Sequence, residues 1–534
     1  MKNYIIILGF FLSVISFSSC EDLLDIPQKG VTDIEDFYIT DEDCEQAIAD
    51  VYGTWLACEN NWYTTLNMLA DDNWPGGGSR GDNVPRENLG EYAFDPGNAV
   101  ITGCFQNMYQ IIYRANLVIE HFSEGTSEIQ KRAVAEAKFF RAWSHFYLVT
   151  LWGTPPMVDR VLRTIDEYTQ PNGNPDEIWS LIERDLTDAI SSNAMAEKSN
   201  AHDKVIRITK TAAQSMLGKA YVFQEKWEEA RSVLDAVIAS GKYELWQGDY
   251  EDILRFEAEF CSENVLEGNI LNDMSNLRRG VQVYMGWRFS LMTIAAGQGI
   301  AHDIAIGWGF YNPTKSLYDA FVEEEGVDGY RLNSVLWPYQ KVVDTWNYEV
   351  NGVNVAVKVK EGMFLPGHEG YFYWKFRYLN SEKQDVTKTG NCHNNIRFMR
   401  YAEVLLLAAE AHLQGTGGDP EKAADYINEI RLRAQLPIKQ TVTMDDLKIE
   451  KRLELCCENV RYQDLVRWGD APAYLGNKGV KIPAFGGRTQ TTEDHVEWLW
   501  TNQDAGFKAG KHELLPFPVS EISVNSKIVQ NPGW

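Results

Sequence analysis

Positive charge is scarce in this chain. Its 534 residues carry 50 lysines and arginines against 76 aspartates and glutamates, a net charge of −26. Binding nucleic acid requires cations that neutralise phosphates, so the balance argues against that role. Beyond the N-terminus no apolar run reaches the ~20 residues that a membrane-spanning helix needs. Eight cysteines are present, but no C-x-x-C, so neither a disulfide scaffold nor a zinc framework is indicated. No Walker A motif occurs, and no G-x-G-x-x-G opens a helix after a strand. The nine histidines are scattered without metal-ligand spacing, and His512-Glu513 runs into Leu-Leu-Pro instead of a second histidine. Gly77-Gly78-Ser79-Arg80-Gly81 matches G-x-S-x-G, yet a nucleophile elbow needs a hydrophobic strand before it and a helix after. Asn73-Trp74-Pro75 and Asp82-Asn83-Val84-Pro85 read as neither. These absences leave a glycosidase open, because it needs only two carboxylates ~5–10 Å apart in space.

Aromatic residues are abundant: 17 Trp, 25 Tyr and 23 Phe. A large aromatic core takes most of them, and an acidic, Trp-bearing surface suits neutral, ring-shaped ligands better than anions. The hydrophobic fraction of 44% is that of a globular protein. The length allows two to four domains or one large elaborated one. At the N-terminus, Met1-Lys2-Asn3 is a short positive region, Tyr4 to Ile15 an apolar run, and Ser16-Phe17-Ser18-Ser19 leads to Cys20. This is the pattern of an export signal, with small residues before a cysteine that a lipoprotein signal peptidase would leave as the lipidated first residue. Acyl chains on Cys20 would hold the protein to a membrane without a spanning helix. The remaining cysteines are odd in number and are expected as buried free thiols. The adjacent Cys456-Cys457 reads as helical.

Apolar periodicity places helices over Asp43–Trp55, Gln106–Phe122, Glu128–Trp152 and Pro175–Asn193. Thr209–Ser240 fits the tetratricopeptide pattern in part. Leu217, Gly218, Tyr221 and Ala230 fall at the right spacing and Leu234 takes the Phe position, while Gln214 and Lys242 replace Trp and Pro. Small residues at 218 and 230 allow two antiparallel helices to approach closely. Tyr401–Gln414 and Pro420–Ala434 form a looser second pair. Asp71 to Pro96 is rich in Gly, Pro, Asn and Asp without helical period and reads as a long, functional loop. From Glu251 to Asn395 the period is lost again, which predicts loops and short strands over a helical layer. The reading is therefore all-α: a signal peptide over 1–19 and one domain over 20–534. That domain comprises a tetratricopeptide-like helical repeat scaffold (35–250 and 396–470), a loop-rich irregular insert on one face (251–395) and a loop-rich tail (471–534).

Three segments carry a family resemblance. The first is Cys20 followed by Leu23-Leu24-Asp25-Ile26-Pro27. The second is Arg400-Tyr401-Ala402-Glu403-Val404-Leu405-Leu406-Leu407-Ala408-Ala409-Glu410-Ala411. It leads to Glu450-Lys451-Arg452-Leu453-Glu454-Leu455, then Glu458, Arg461 and Asp464-Leu465-Val466-Arg467-Trp468-Gly469. The third is Leu514-Leu515-Pro516-Phe517-Pro518, Glu521-Ile522, Asn525 and Gln530-Asn531-Pro532-Gly533-Trp534. Glu136-Ala137-Lys138-Phe139-Phe140-Arg141-Ala142 and Gly153-Thr154-Pro155-Pro156 add to the pattern. Together they resemble the SusD/RagB family of Bacteroidota surface lipoproteins over nearly the whole mature chain. Cys456-Cys457, Asn459 and Ser526 depart from that family's usual residues. The charged residues from Glu450 to Arg467 have the spacing of intramolecular ion pairs on a helix and its C-terminal turn, and read as structural.

The resemblance implies a non-catalytic protein, without a cofactor, that captures oligosaccharides or, in some members, peptides. Calcium ordering a loop is left open. It also implies a SusC-type TonB-dependent outer-membrane barrel as partner, beneath a lid formed by this chain. Glu21-Asp22 is similar to the acidic signal that sends such lipoproteins outward. The implied ligand site lies where Asp71–Arg86 meets Tyr284–Tyr311. Trp74 is the first stacking candidate, with Trp287 and Trp308 beside Gly286, Gly307 and Gly309, and then Tyr311. Asp71, Asp72, Arg80 and Asp82 are candidate readers of sugar hydroxyls, with turn and cap chemistry as the alternative. Trp143 and Trp152 read as packing. Two or three ring contacts, each burying ~40 Å² at ~25 cal/mol/Å², predict a Kd near ~1 mM. Deleting Asp71–Arg86 is expected to abolish binding without unfolding the chain. The competing readings are a glycoside hydrolase, a peptide-binding member of the same family and a structural repeat adaptor.

Overall fold

A computed structural model describes residues 37–288, 303–345, 347–350, 353–356, 359, 362–486 and 496–534. Cys20, the leader before it and the Leu23–Pro27 motif lie outside the described residues.

The scaffold is helical, as the periodicity predicts. Helix α1 (Asp41–Ala57) starts at a capping box in which the Thr40 hydroxyl accepts from the Asp43 N–H while the Asp43 carboxylate takes the Thr40 N–H. Its stripe of Cys44, Ile48, Val51 and Trp55 is buried. Next come α2 (Glu59–Met68), α3 (Val84–Gly90), α4 (Ala99–Phe122) and α5 (Glu128–Trp152). α4 begins seven residues before the expected Gln106, because the Asn98 side chain accepts from the Val100 and Ile101 N–H groups and opens the helix there. α5 matches its expected span, capped by Ser127 and stopped at Gly153, whose φ is +72°.

After α6 (Pro175–Ser191), α7 (Lys210–Phe223) and α8 (Trp227–Ala239) form the antiparallel pair expected from the repeat pattern. The reason for glycine at 218 is direct: a Cβ there would collide with the Leu234 side chain across the pair. Farther on come α9 (Lys315–Glu325), α10 (Tyr401–Leu413), α11 (Pro420–Arg433), α12 (Met444–Glu454) and α13 (Arg461–Arg467).

Short strands lie over this layer. They include β1 (Asn73–Gly76), β2 (Asn264–Gly268), β3 (Phe310–Pro313), β4 (Leu336–Pro338), β5 (Phe364–Pro366), β6 (Tyr371–Tyr373), β7 (Ile396–Arg400), β8 (Lys481–Gly486) and β9 (Val496–Thr501). β1 pairs antiparallel with β3, β2 with β7 and β4 with β6, while β9, β8 and β5 make a three-stranded antiparallel sheet in that order.

A continuous apolar core runs from α1 to Phe517 and Ile528 near the C-terminus. Trp55, Trp62 and Trp143 pack in it around Phe398 of β7, with Tyr147 against Trp62 and Trp143, and Trp143 and Trp152 are packing residues as expected. A second, smaller core under the insert joins Trp287, Trp337, Phe372, Trp374 and Phe485. The seven described cysteines are all buried and unpaired.

The charged motif is structural, but apart from Asp464 with Lys451 and Arg467 its partners lie on distant elements and not on the same helix and turn. Arg331 pairs with Glu325, Glu450 and Glu454; Arg400 with Glu263, Glu454 and Glu458; Arg433 with Glu263 and Glu454. These groups are buried, and such charges persist in an apolar interior only when paired.

Three expectations are corrected. The stretch from Asp71 to Pro96 is not a structureless loop. It holds β1 and α3, the latter too short for a readable period and set by Asn83 as cap and Pro85 in its first turn. Much of it is buried, so deleting 71–86 removes core and is expected to unfold the chain. The insert contains α9, where Leu317, Ala320 and Phe321 are buried on one stripe behind a Thr314 cap. Cys456-Cys457 sits in the turn between α12 and α13, with Cys457 at φ +59°.

Candidate functional site

Glycine and backbone pairing bring the early segment to the insert. Trp74 of β1 lies opposite Asn312 of β3. Gly76 has φ +72°, and a Cβ there would collide with the Gly309 carbonyl and the Asn312 side chain, so only glycine permits this approach. Two further bonds extend the seam, from the Thr314 N–H to the Asp72 carbonyl (3.0 Å) and from the Thr314 hydroxyl to the Asp71 carbonyl (3.2 Å).

Beside this seam opens a groove of about 710 Å³. Three aromatic residues line it: Trp74, Trp498 of β9 and Tyr474. Trp498 is 48% exposed and Tyr474 51% exposed. The Trp74 and Trp498 ring centroids are 6.2 Å apart with planes at 70°. The Trp74 Nε1–H donates to Glu369 Oε1 at 3.0 Å. The other Glu369 oxygen accepts the Lys315 N–H at the start of α9. Burial raises the Glu369 pKa, and the bonds from Lys315 and Trp74 offset part of that rise. Lys315, Asp319 and Lys481 put charged, exposed side chains on the same groove.

Beneath the groove lies a box of buried charge. Asp71 accepts from Arg461 Nε at 2.8 Å and Arg461 Nη2 at 3.1 Å, and Arg452 Nη2 stands 3.0 Å from the same carboxylate. Asp72 accepts from Arg452 Nε at 2.9 Å. Burial pushes the Asp71 pKa up, but the two guanidiniums outweigh it and hold the carboxyl below its usual range. Lys478 is buried beside them and donates to the Met68 and Ala70 carbonyls. Burial pulls its pKa down to about 7. A neutral amine has two N–H donors, which these two carbonyls satisfy.

The sequence candidates therefore separate. Trp74 lines the groove with its edge, being 7% exposed, and Asp71 reaches its floor. Asp71 and Asp72 are not free to read hydroxyls, since both are closed off by arginines, and sequence alone does not show those partners. Arg80 is tied to Glu91 and Glu87 of α3, and Asp82 accepts the Gly78 N–H at 2.7 Å across its own turn. For Asp82 the turn-chemistry alternative describes its position. Trp287 is 3% exposed in the second core, where its Nε1–H donates to the Tyr373 carbonyl. Tyr311 is 1% exposed, with its hydroxyl 2.5 Å from that of Thr64. Neither lines the groove. Trp308 is half-buried against Tyr284, under Arg279, and does not line the groove.

Two aromatic groove residues, Trp498 and Tyr474, escape the sequence reading. Glu497-Trp498-Leu499-Trp500 carries a readable signal, an apolar strand at odds with its polar surroundings. Tyr474 carries none, because Ala471–Leu475 is too short to show a face. Among the described residues no group of three or more His, Cys, Asp or Glu is placed to hold a metal ion, and no helix is long and apolar enough to cross a membrane.

Comparison with known proteins agrees with this fold. The family model described as "SusD family" matches residues 292–534, and the one described as "Starch-binding associating with outer membrane" matches residues 34–222. A SusD-like protein of Formosa agariphila is 25% identical over 99% of this chain and 98% of its own length. A solved "Laminarin binding SusD-like protein" superposes with a TM-score of 0.73 at 24% identity, covering 92% of this chain and 99% of that one. Surface glycan-binding protein A from Bacteroides thetaiotaomicron, in complex with laminarihexaose, superposes with a TM-score of 0.71 at 21% identity, covering 92% and 100%. The helical scaffold, its loop-rich face and these matches across both halves lead to one conclusion: the chain belongs to the SusD-like family.

Proposed function

We propose that this protein captures an oligosaccharide in the groove lined by Trp74, Trp498 and Tyr474, and does not alter it chemically. The observation that carries the reading is the aromatic groove itself. Two half-exposed rings stand beside a third whose indole N–H is anchored, with charged and amide side chains within the same walls. A pyranose has apolar C–H faces and a hydroxyl edge, and such walls suit both. Family membership and the glycans named for the superposed structures support the same reading.

The wider role follows from the family. The mature chain is anchored through lipid on Cys20 to the outer membrane, faces the exterior, and delivers its ligand to a SusC-like TonB-dependent barrel. The domain is a single unit from residue 20 to 534.

Titration calorimetry of the chain lacking the leader and Cys20 tests the reading, against laminarihexaose, other oligosaccharides and a peptide digest. Heat with one glycan class, lost in Trp74→Ala, and no release of reducing ends on incubation are the expected results. Heat with no glycan, or cleavage of the bound one, overturns it.

A peptide ligand is the second reading, favoured by one feature. β9 is the edge of its sheet, with Trp498 and Leu499 exposed, and an edge strand accepts an added strand. Heat with the peptide digest alone would establish it.

A further inference from the structure

Tyr474 is half exposed, yet it does not stand on apolar packing alone. The Arg461 guanidinium lies 4.8 Å from its ring centroid and that of Arg452 lies 5.9 Å away. Both guanidiniums are nearly buried and are held by Asp71 and Asp72. A bidentate carboxylate fixes the plane of an arginine as well as its position. A guanidinium plane under an aromatic face holds the ring electrostatically, while an ammonium in its place acts as a point charge without a plane. Asp71 and Asp72 precede β1, which carries Trp74, whereas Arg452 and Arg461 belong to α12 and α13. One charge box thus joins the element bearing the first aromatic wall to the elements under the second.

We propose that Arg461, clamped by Asp71, is a positioning residue for ligand capture: it presents the Tyr474 ring to the groove without touching the ligand. This rests on the oligosaccharide reading of the groove. It also assigns Asp71 a role at one remove from the one its sequence context suggests.

The test reads the ring and the affinity separately. The ring is read in ligand-free protein carrying 13Cε-labelled tyrosine, with the Tyr474 signal assigned by its loss in Tyr474→Ala. Arg461→Lys keeps a cation beside Asp71 but loses the plane. The Tyr474 signal is expected to move to the position of a freely exposed tyrosine in Arg461→Lys and to stay in place in Trp74→Ala. Affinity is read by titration with laminarihexaose. Arg461→Lys is expected to weaken binding by roughly two- to thirtyfold, the range of a single cation–π contact. It is expected to add nothing further in a Tyr474→Ala background, as residues acting through one another are non-additive.

A Tyr474 signal unmoved in Arg461→Lys overturns the proposal, as does a loss of affinity that adds fully to that of Tyr474→Ala. Should Arg461→Lys fail to fold, Asp71→Asn, which loosens the clamp and keeps the arginine, is expected to move the same signal in the same direction, and an unmoved signal overturns the proposal. If laminarihexaose does not bind the unmodified protein, the oligosaccharide reading fails for that sugar. Arg461 as the support of Tyr474 is then decided by the tyrosine signal alone.

Discussion

Trp74 and Trp498 meet edge to face, with centroids 6.2 Å apart and planes at 70°, although one lies in the first strand and the other in the last. Neither ring is placed by its own neighbours in sequence. Trp74 is set by the pairing of β1 with β3 and by Glu369, and Trp498 by the pairing of β9 with β8.

Trp498→Ala is therefore expected to weaken oligosaccharide binding about thirtyfold, since a ring contact beyond area burial is worth ~1 kcal/mol and the buried face as much again. Its half-exposed position predicts little change in melting temperature. Calorimetric titration beside a thermal melt checks both.

Lys478 gives a pH dependence with a definite sign. Its pKa is about 7 in the folded protein, lowered from 10.5 by burial. Between those values the unfolded chain holds a proton on this amine that the folded chain releases. Stability contributed by this group is thus fully present above pH ~10.5 and lost as pH falls through ~7, a slope of up to ~1.4 kcal/mol per pH unit. The difference in stability between the unmodified protein and Lys478→Met, read from denaturant melts between pH 7 and 10, is expected to follow this slope, while the opposing contribution of the buried cysteine thiols is common to both chains and cancels.

Gly218→Val places a side chain against Leu234 and is expected to destabilise the protein by ~1–3 kcal/mol, the usual cost of overpacking. Shortening the opposite residue in Gly218→Val/Leu234→Ala is expected to recover part of the loss. Urea titrations of the three chains check the prediction.

Glu454→Gln removes the carboxylate shared by Arg331, Arg400 and Arg433. An uncompensated buried charge costs ~3–5 kcal/mol, so this variant is expected to melt far below the unmodified protein. Thermal unfolding followed by circular dichroism measures the drop.

Helices with strong periods are legible from local sequence because burial of a stripe at 3.6-residue spacing is a local pattern. α5 shows this, as does the close approach at Gly218 and Leu234. For Glu454 and Arg461 helical spacing suggests a structural role, but not the partners, which are Arg331, Arg400 and Arg433 for the one and Asp71 for the other. α3 and α9 are not so readable. The former has too few residues for a period, and the latter sits among glycines and aromatics that blur it.

For the groove, local sequence pointed to one lining residue, Trp74 in its Gly-Pro segment, but not to the strand pairing that leaves it only 7% exposed. Everything else was decided by tertiary structure. Asp71 and Asp72 look like ligand groups until Arg461 and Arg452, nearly four hundred residues later, fold onto them. Trp287 and Tyr311 look like exposed rings until a second core closes over the one and Thr64 meets the other. Whether a polar or aromatic side chain is free depends on which distant group comes to lie beside it. That is a property of long-range packing and pairing, to which a local window of sequence is blind.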